Sequence, residues 1–408
     1  MELKKYLVLF NQATIKTRRS INEHTNFINK INSEKIRVFY LNTFFQKNYF
    51  DLSSFDCIIL TTSFLSSKWS PGSFNRVQSR IENLNQYNGL IVALPQDEFV
   101  NTALLDSYFE SLSNLHIMTI LPESEWSKIY PSSMKKGHTF EQVLTGYINH
   151  LPSKKQLDFF KRKYEISYRA WETEPWLGKH SYKKYEIYKK FAEVKKPNWN
   201  ISTNQKDVLV GKSWDKLLQN SKFVIGTEQG ASISDPHGIL REQYLIYKAN
   251  NPDSDWMKSY EDCNFELYEK SLDLRGLSPR IFEAMQNNAA LILLEGDYNG
   301  VLKPNKHYLP LKKDYSNLEA IVSNLNVETY KKIIESYTEI FHNTELWYGH
   351  LAEIVNSKVK KKSNILKKRY VLLYQIFKFE NVFLQFTYST AVKLVGIERL
   401  IRIVNAFK

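Results

Sequence analysis

Arg280 and Glu283 stand three residues apart in Leu277-Ser-Pro-Arg-Ile-Phe-Glu-Ala-Met285, and a buried-type run, Ala-Ala-Leu-Ile-Leu-Leu-Glu-Gly296, follows closely. Ser278 is a good N-cap, and Pro279 occupies the first helical position, where its missing N–H would have no partner anyway. A helix start carries unpaired N–H groups and partial positive charge, so it attracts phosphate. Arg280 adds a guanidinium at that end, and one turn on Glu283 can accept hydrogen bonds from hydroxyls. A phosphate-seeking end beside a hydroxyl-reading carboxylate suits a sugar nucleotide. The same residues also make an ordinary helix start, with Glu283 favoured by the dipole.

Such residues need elements to aim them. Strand-like runs in the first half are Lys5–Phe10, Ile36–Leu41, Cys57–Thr61, Leu90–Leu94, His116–Leu121 and Val143–Gly146, with helical stretches such as 73–86 and 101–112 between them. The second half alternates likewise, through strands at Lys163–Tyr168, Trp199–Ser202, Phe223–Gly226, Ala290–Leu294 and His307–Leu311. Alternation of this kind predicts α/β units with mostly parallel sheets covered on both faces. Ligands of such sheets bind beyond the carboxyl ends of the strands. Arg169, Glu228, Ser232, Asp235 and Glu295 all fall just past a predicted strand. The boundary is placed near 149–160, giving units 1–155 and 156–345 and a C-terminal segment 346–408.

Several segments match a known family in order. Trp214-Asp-Lys-Leu-Leu-Gln-Asn-Ser-Lys-Phe-Val-Ile-Gly226 leads into a Glu228-x-Gly230-x-Ser232-x-x-Asp235 loop, then come Ser278-Pro-Arg-Ile-Phe-Glu-Ala284, Glu295-Gly-Asp-Tyr-Asn-Gly300 and His307 to Asn317. Tyr168-Arg169, Pro175, Gly178 and Lys184 lie upstream, and Leu94-Pro-Gln-Asp97-Glu98-Phe99 lies in the first half. These segments resemble group 1, GT-B-type bacterial glycosyltransferases of the surface-polysaccharide and spore-maturation-protein-like kind. The resemblance implies a GT-B-like α/β fold, two Rossmann-like domains facing a cleft, with donor nucleotide on the second and acceptor on the first. It implies transfer of a sugar from a nucleotide sugar to a growing surface polysaccharide, such as capsule or O-antigen, or to a lipid-linked glycan.

Transfer of that kind requires the leaving diphosphate to be stabilised and an acceptor hydroxyl to be activated. Without a metal or other cofactor the charge falls to Arg280 first, then Arg169 and Lys184. Glu283 matches the family glutamate that holds donor hydroxyls, while Glu228, Ser232 and Asn317 complete the expected donor side. Many retaining relatives carry a second glutamate eight positions earlier, where this chain has Arg275. Asp97 and Glu98 follow a strand on the acceptor side and are candidate general bases, as is His24; adjacent carboxylates there are equally turn or cap residues.

Other chemistries lack their motifs. No Gly-x-Gly-x-x-Gly follows Phe10, and neither a P-loop nor a Gly-x-Ser-x-Gly elbow is present. The nine histidines are scattered without ligand spacing, and Asp253-Ser-Asp255 lies in a polar stretch that reads as a turn or cap, so no metal site is expected. Cys57 and Cys263 imply no disulfide framework, hence a reducing, cytoplasmic setting. The short apolar run at the start reads as a first strand and not as a secretory signal.

Charge is concentrated at one end. Residues 358–408 hold twelve Lys and Arg against two Glu, or +10 of the chain's +13, leaving +3 for the rest. A near-neutral body with a basic tail argues against a nucleic-acid surface. Residues 396–407 are amphipathic, and Lys378, Glu380 and Asn381 interrupt the apolar stretch 370–392, which disfavours spanning a bilayer. Two outcomes are open: a tail on an anionic membrane surface, peripheral to the inner face, or helices crossing back over the domains. Two other functions also stay open: an inactive GT-B-like glycan- or nucleotide-binding protein, and a polyanion-binding protein acting through its tail.

Overall fold

The computed structural model describes residues 3–14, 17–153, 157–194, 196–361 and 368–395. The apolar runs of the first half form β1 (Lys4–Phe10), β2 (Ile36–Asn42), β3 (Cys57–Leu60), β4 (Leu90–Ala93) and β5 (Leu115–Thr119), and β6 (Thr139–Gln142) pairs at the edge. All six are parallel, in the order β2-β1-β3-β4-β5-β6. The central strand β3 is buried at every position, as a parallel strand covered on both faces should be. One expectation fails here: the last strand is Thr139–Gln142, and residues 143–146 are loop. An edge strand has one neighbour and solvent beside it, so a polar sequence suffices and no apolar run marks it. The stretch 73–86 is also only partly helical, because the helix Pro71–Gln78 ends early and Asn83 takes a left-handed backbone, φ 64°.

The second half repeats the plan. Its strands are β7 (Tyr164–Arg169), β8 (Asn200–Ser202) and β9 (Ser221–Gly226), then an antiparallel ribbon of β10 (Gln229–Ala231) and β11 (Leu274–Gly276), then β12 (Ala290–Leu294) and β13 (Leu309–Leu311). The parallel sheet runs β13-β12-β9-β7-β8. In both sheets the second strand lies outside the first and the third returns to its other side. That reversal opens a crevice at the carboxyl ends of β1 and β3, and of β7 and β9, where ligands of doubly wound sheets collect. This is the two-unit α/β architecture that the resemblance implies.

The two units are stitched together more than a simple boundary suggests. Between β10 and β11 the chain leaves the second sheet, and Ile233, Leu240, Trp256 and Phe265 join the core of the first. Asp235 and Phe99–Asn101 exchange backbone hydrogen bonds across that contact, Asp235 N–H to Phe99 O at 2.7 Å and Asn101 N–H to Asp235 O at 2.9 Å. The helix Tyr348–Lys358 also crosses back: Tyr348, Leu351, Ala352 and Val355 pack against Tyr6, Val8, Phe27 and Ile28. Asn356 fixes its end, its Oδ1 accepting from Tyr6 OH at 2.8 Å and its backbone carbonyl from Lys4 Nζ at 2.8 Å.

A long helix, Lys368–Val395, then lies along the first unit, with Tyr374 against Phe39 and Phe50, and Asn381 accepting from Asn42 Nδ2 at 3.0 Å. The amphipathic stretch 396–407 falls outside the described residues. No helix among those described is long and apolar enough to cross a membrane.

Leu351 is fully buried between the crossing helix and the first sheet. Leu351→Ala is expected to cost about 2–5 kcal/mol through the lost methyls and the cavity left behind. Denaturant unfolding followed by tryptophan fluorescence checks this, and a wild-type midpoint would show that the helix is not integral to the core.

Candidate functional site

A cleft of about 410 Å³ lies between the two units, and its walls come from the carboxyl ends of both sheets. The first unit contributes the post-β1 residues Arg18 and Arg19, Thr62 and Ser66 after β3, and Gln96 and Asp97 after β4. The second contributes Tyr168 and Arg169 at the end of β7, Gly226 and Thr227 after β9, Trp214, Lys184, and the start of the helix Pro279–Gln286 with Arg280 and Glu283. Close approach is built in at Gly146, where an added Cβ would meet Pro279 Cβ and Cγ at 2.8 Å. Only a glycine lets that loop of the first unit reach the helix start of the second.

Three cations define the chemistry. Arg280 lies over the Trp214 ring, 5.4 Å from its centroid, and donates to the Arg169 carbonyl. It keeps solvent contact, yet the crowding walls lower its pKa, with Arg18 adding to the effect and Glu283 opposing it. Lys184 is pushed down to about 8, chiefly by burial, then by Arg280 and Arg18, with Asp97 pulling the other way. The Lys184 ammonium and the Arg18 guanidinium form no hydrogen bond or ion pair among the described residues. Like charges gathered without an ion-paired carboxylate can receive a polyanionic ligand.

Carboxylates flank the cations without neutralising them. Glu283 is buried and accepts from Trp214 Nε1 at 2.7 Å; burial raises its pKa to about 6, against the pull of Trp214 and Arg280. Trp214 therefore braces both residues singled out in the helix, holding the carboxylate by its edge and the guanidinium by its face. Across the cleft Asp97 has a left-handed backbone, φ 51°, uncommon for a non-glycine residue and costly unless its surroundings impose it. The fully buried Lys68 imposes it, donating to Gln96 O at 3.0 Å and Asp97 O at 2.7 Å, while Trp69 Nε1 donates to the Asp97 carboxylate at 3.3 Å.

The candidates read from sequence divide between cleft and scaffold. Asp97, Arg169, Lys184, Arg280 and Glu283 line the cleft. Arg169, however, spends its guanidinium on the backbone: Nη1 reaches Tyr168 O and Asn200 O, both at 2.8 Å, and Nε reaches Asp207 O at 3.2 Å. It fixes the end of β7 and the loop that frames the cleft.

The other five are engaged elsewhere. Glu98 is wholly buried and accepts from Thr119 Oγ1 at 2.6 Å, Ile120 N at 3.0 Å and Tyr130 OH at 2.5 Å, so its oxygens are held in the first core. His24 is buried against Tyr348, rings 5.9 Å apart. Glu228 accepts from the N–H groups of Asp297 and Tyr298, both at 3.1 Å, and so shapes the turn after β12. Ser232 Oγ accepts from His180 N at 3.1 Å, and Asn317 accepts from Lys312 N at 2.9 Å while donating to Pro310 O. A side chain already bridging backbone groups is poorly free to meet a ligand. Asp255 caps the helix Trp256–Asp262, accepting from Lys258 N at 2.9 Å. Among the described residues no group of three His, Cys, Asp or Glu could hold a metal ion.

Sequence reasoning missed Arg18, Trp214 and Lys68. Arg18 sits eight residues past β1, in the segment that follows a strand at a switch point, and that position was the available signal. Lys68 carried none, since a lysine in a polar stretch reads as exposed.

No family model and no curated protein sequence matches the chain. Solved structures align along most of it. The T4 phage β-glucosyltransferase has 12% identity and a TM-score of 0.45, covering 88% of this chain and 100% of its own. Anabaena Alr3699/HepE in complex with UDP-glucose has 9% identity and a TM-score of 0.42, covering 86% and 98%. The glycosyltransferase SnogD from Streptomyces nogalater has 10% identity and a TM-score of 0.36, covering 88% and 100%.

His24 generates a pH prediction. Burial lowers its pKa from 6.5 to about 4, so the native state holds it neutral and the unfolded chain protonates first. A depressed pKa contributes stability that is full above 6.5 and is lost as pH falls through 4. The shift corresponds to roughly 3 kcal/mol. His24→Gln should therefore flatten the fall in unfolding free energy between pH 6.5 and 4; a slope identical to wild type would show that other groups carry it.

Proposed function

We propose that this chain is a metal-independent glycosyltransferase that moves a sugar from a nucleotide-sugar donor to a growing surface polysaccharide or lipid-linked glycan. The observation that carries the reading is the convergence of Arg18 from the first unit with Lys184 and Arg280 from the second on one cleft, none of them in an ion pair with a carboxylate among the described residues. A diphosphate supplies the missing negative charge. The charge that grows on it as the sugar–phosphate bond breaks is stabilised by donors already fixed in place. Arg280 offers a forked guanidinium held by Trp214, and Lys184 a point charge. Glu283, next to Arg280 and held by Trp214, accepts from donor hydroxyls. Asp97 is the carboxylate of the acceptor wall and takes the proton of the attacking hydroxyl. Arg275, standing where many retaining relatives carry a second glutamate, turns to Asp273 instead, Nε to Oδ1 at 2.6 Å. We place the protein in the cytoplasm, peripheral on the inner face of the cell membrane, where a lipid-linked acceptor would be met.

Thermal unfolding in the presence of UDP-, GDP-, dTDP- and CMP-sugars tests the donor claim. A specific donor at a hundredfold excess over its Kd should stabilise the fold by about 2.7 kcal/mol. Arg280→Ala should weaken that donor by about 1.5–3 kcal/mol, read as Kd by calorimetry, with the fold intact. An unchanged Kd would remove Arg280 from the site, and binding without any transfer would favour an inactive binding protein.

Lys184 adds a pH signature. Its ammonium is lost as pH rises through about 8, so donor affinity should fall there in wild type. In Lys184→Arg, which keeps its charge, that fall should be absent from a Kd-against-pH profile.

A further inference from the structure

The long helix Lys368–Val395 has two faces of opposite character. Tyr370, Tyr374, Asn381, Gln385 and Tyr388 face the first unit, through ring contacts to Phe50, Phe39 and Phe44 and hydrogen bonds to Asn42 and the Gln12 carbonyl. On the opposite side Ile376, Phe379, Phe383 and Phe386, spaced by three, four and three residues, form one stripe and are 53%, 82%, 65% and 62% exposed. Val382 adjoins it, 53% exposed. An unbroken stripe of phenylalanine on a helix whose other face is anchored is far more apolar surface than solubility tolerates without a partner.

Charge identifies that partner. Exposed Lys358, Lys360 and Lys361 precede the helix and exposed Lys378 flanks the stripe, with Lys358 also pairing with Glu141 at 3.0 Å. Seven Lys and Arg lie between residues 358 and 369 with no acid among them. Apolar rings that follow a dense run of positive charge in the sequence, on a helix unable to span, fit an anionic lipid surface with the helix lying in its plane.

We propose that the Ile376–Phe386 face docks this protein on an anionic phospholipid bilayer, its phenylalanine rings entering the acyl boundary while exposed lysines such as Lys378 meet the headgroups. The packed face then sets the first unit against the membrane. The docking requires no transfer chemistry, so its test reads lipid binding alone.

The test is co-sedimentation of the full chain with mixed phosphatidylglycerol–phosphatidylcholine vesicles and with pure phosphatidylcholine vesicles, for wild type and for the double variant Phe379→Ser, Phe383→Ser. Wild type should prefer the anionic vesicles and be released by salt. The variant should partition roughly tenfold or more weakly, with an unchanged thermal midpoint because both rings are exposed. Equal partitioning of variant and wild type overturns the proposal, as does equal binding of wild type to the neutral vesicles. Light scattering is run alongside: a wild-type dimer that becomes monomeric in the variant, with no vesicle binding, overturns it by assigning the face to a second copy of the chain.

Discussion

Mutual repulsion among Arg18, Lys184 and Arg280 is the constraint around which this molecule is arranged. Arg18 lowers the proton affinity of both Lys184 and Arg280, Arg280 lowers that of Lys184, and the nearby carboxylates are committed differently, Glu283 to Trp214 and Asp97 to Trp69. In the proposed reading, an anion arriving between these cations relieves their repulsion. Binding energy is thereby reserved for a ligand and not spent within the protein, which is how preorganised sites favour charge that develops during reaction.

Holding such a recess open requires two rigid walls at a fixed spacing. Each wall is the carboxyl edge of a parallel sheet, and both sheets reverse their winding at the point that faces the cleft. The walls are kept in register by contacts that run through backbone as well as side chains: the Val100–Asp235 bridge on one flank and the Ile148–Trp347 bridge on the other. Arg19 pairs across with Asp215, and within the first unit Glu23 accepts from Asn149 at 2.8 Å. Burial of Lys68 under the Gln96–Asp97 carbonyls belongs to the same scheme, because it holds a strained loop at the cleft edge by the cooperation of the surrounding core.

Much of the fold was legible because parallel strands buried on both faces write themselves as apolar runs; β3 and β12 are buried at every position. The helix start at Pro279 was legible because proline is tolerated at the first helical position and rarely further in. What sequence could not reveal depends on long-range placement. Thr139–Gln142 pairs at an edge and needs no apolar code. Glu98 looks like its neighbour Asp97, yet one residue further along a turn points into the core and meets Thr119 and Tyr130. Glu228 looked ligand-facing because polar residues after strands often are; here it completes a turn. Nothing local could tell that residues 231–274 would share the core of the first unit.

The crossing helix also bears on how the chain is made. Tyr6, Val8, Phe27 and Ile28 leave the ribosome well before the surfaces that cover them, Tyr348 to Val355, which are translated some three hundred residues later. The amino-terminal sheet must wait, partly uncovered, for the rest of synthesis, and domains that fold during translation cannot close this one alone. A stalled or truncated nascent chain would keep that apolar floor bare, so its handling by holding chaperones is as much a consequence of the architecture as the cleft is.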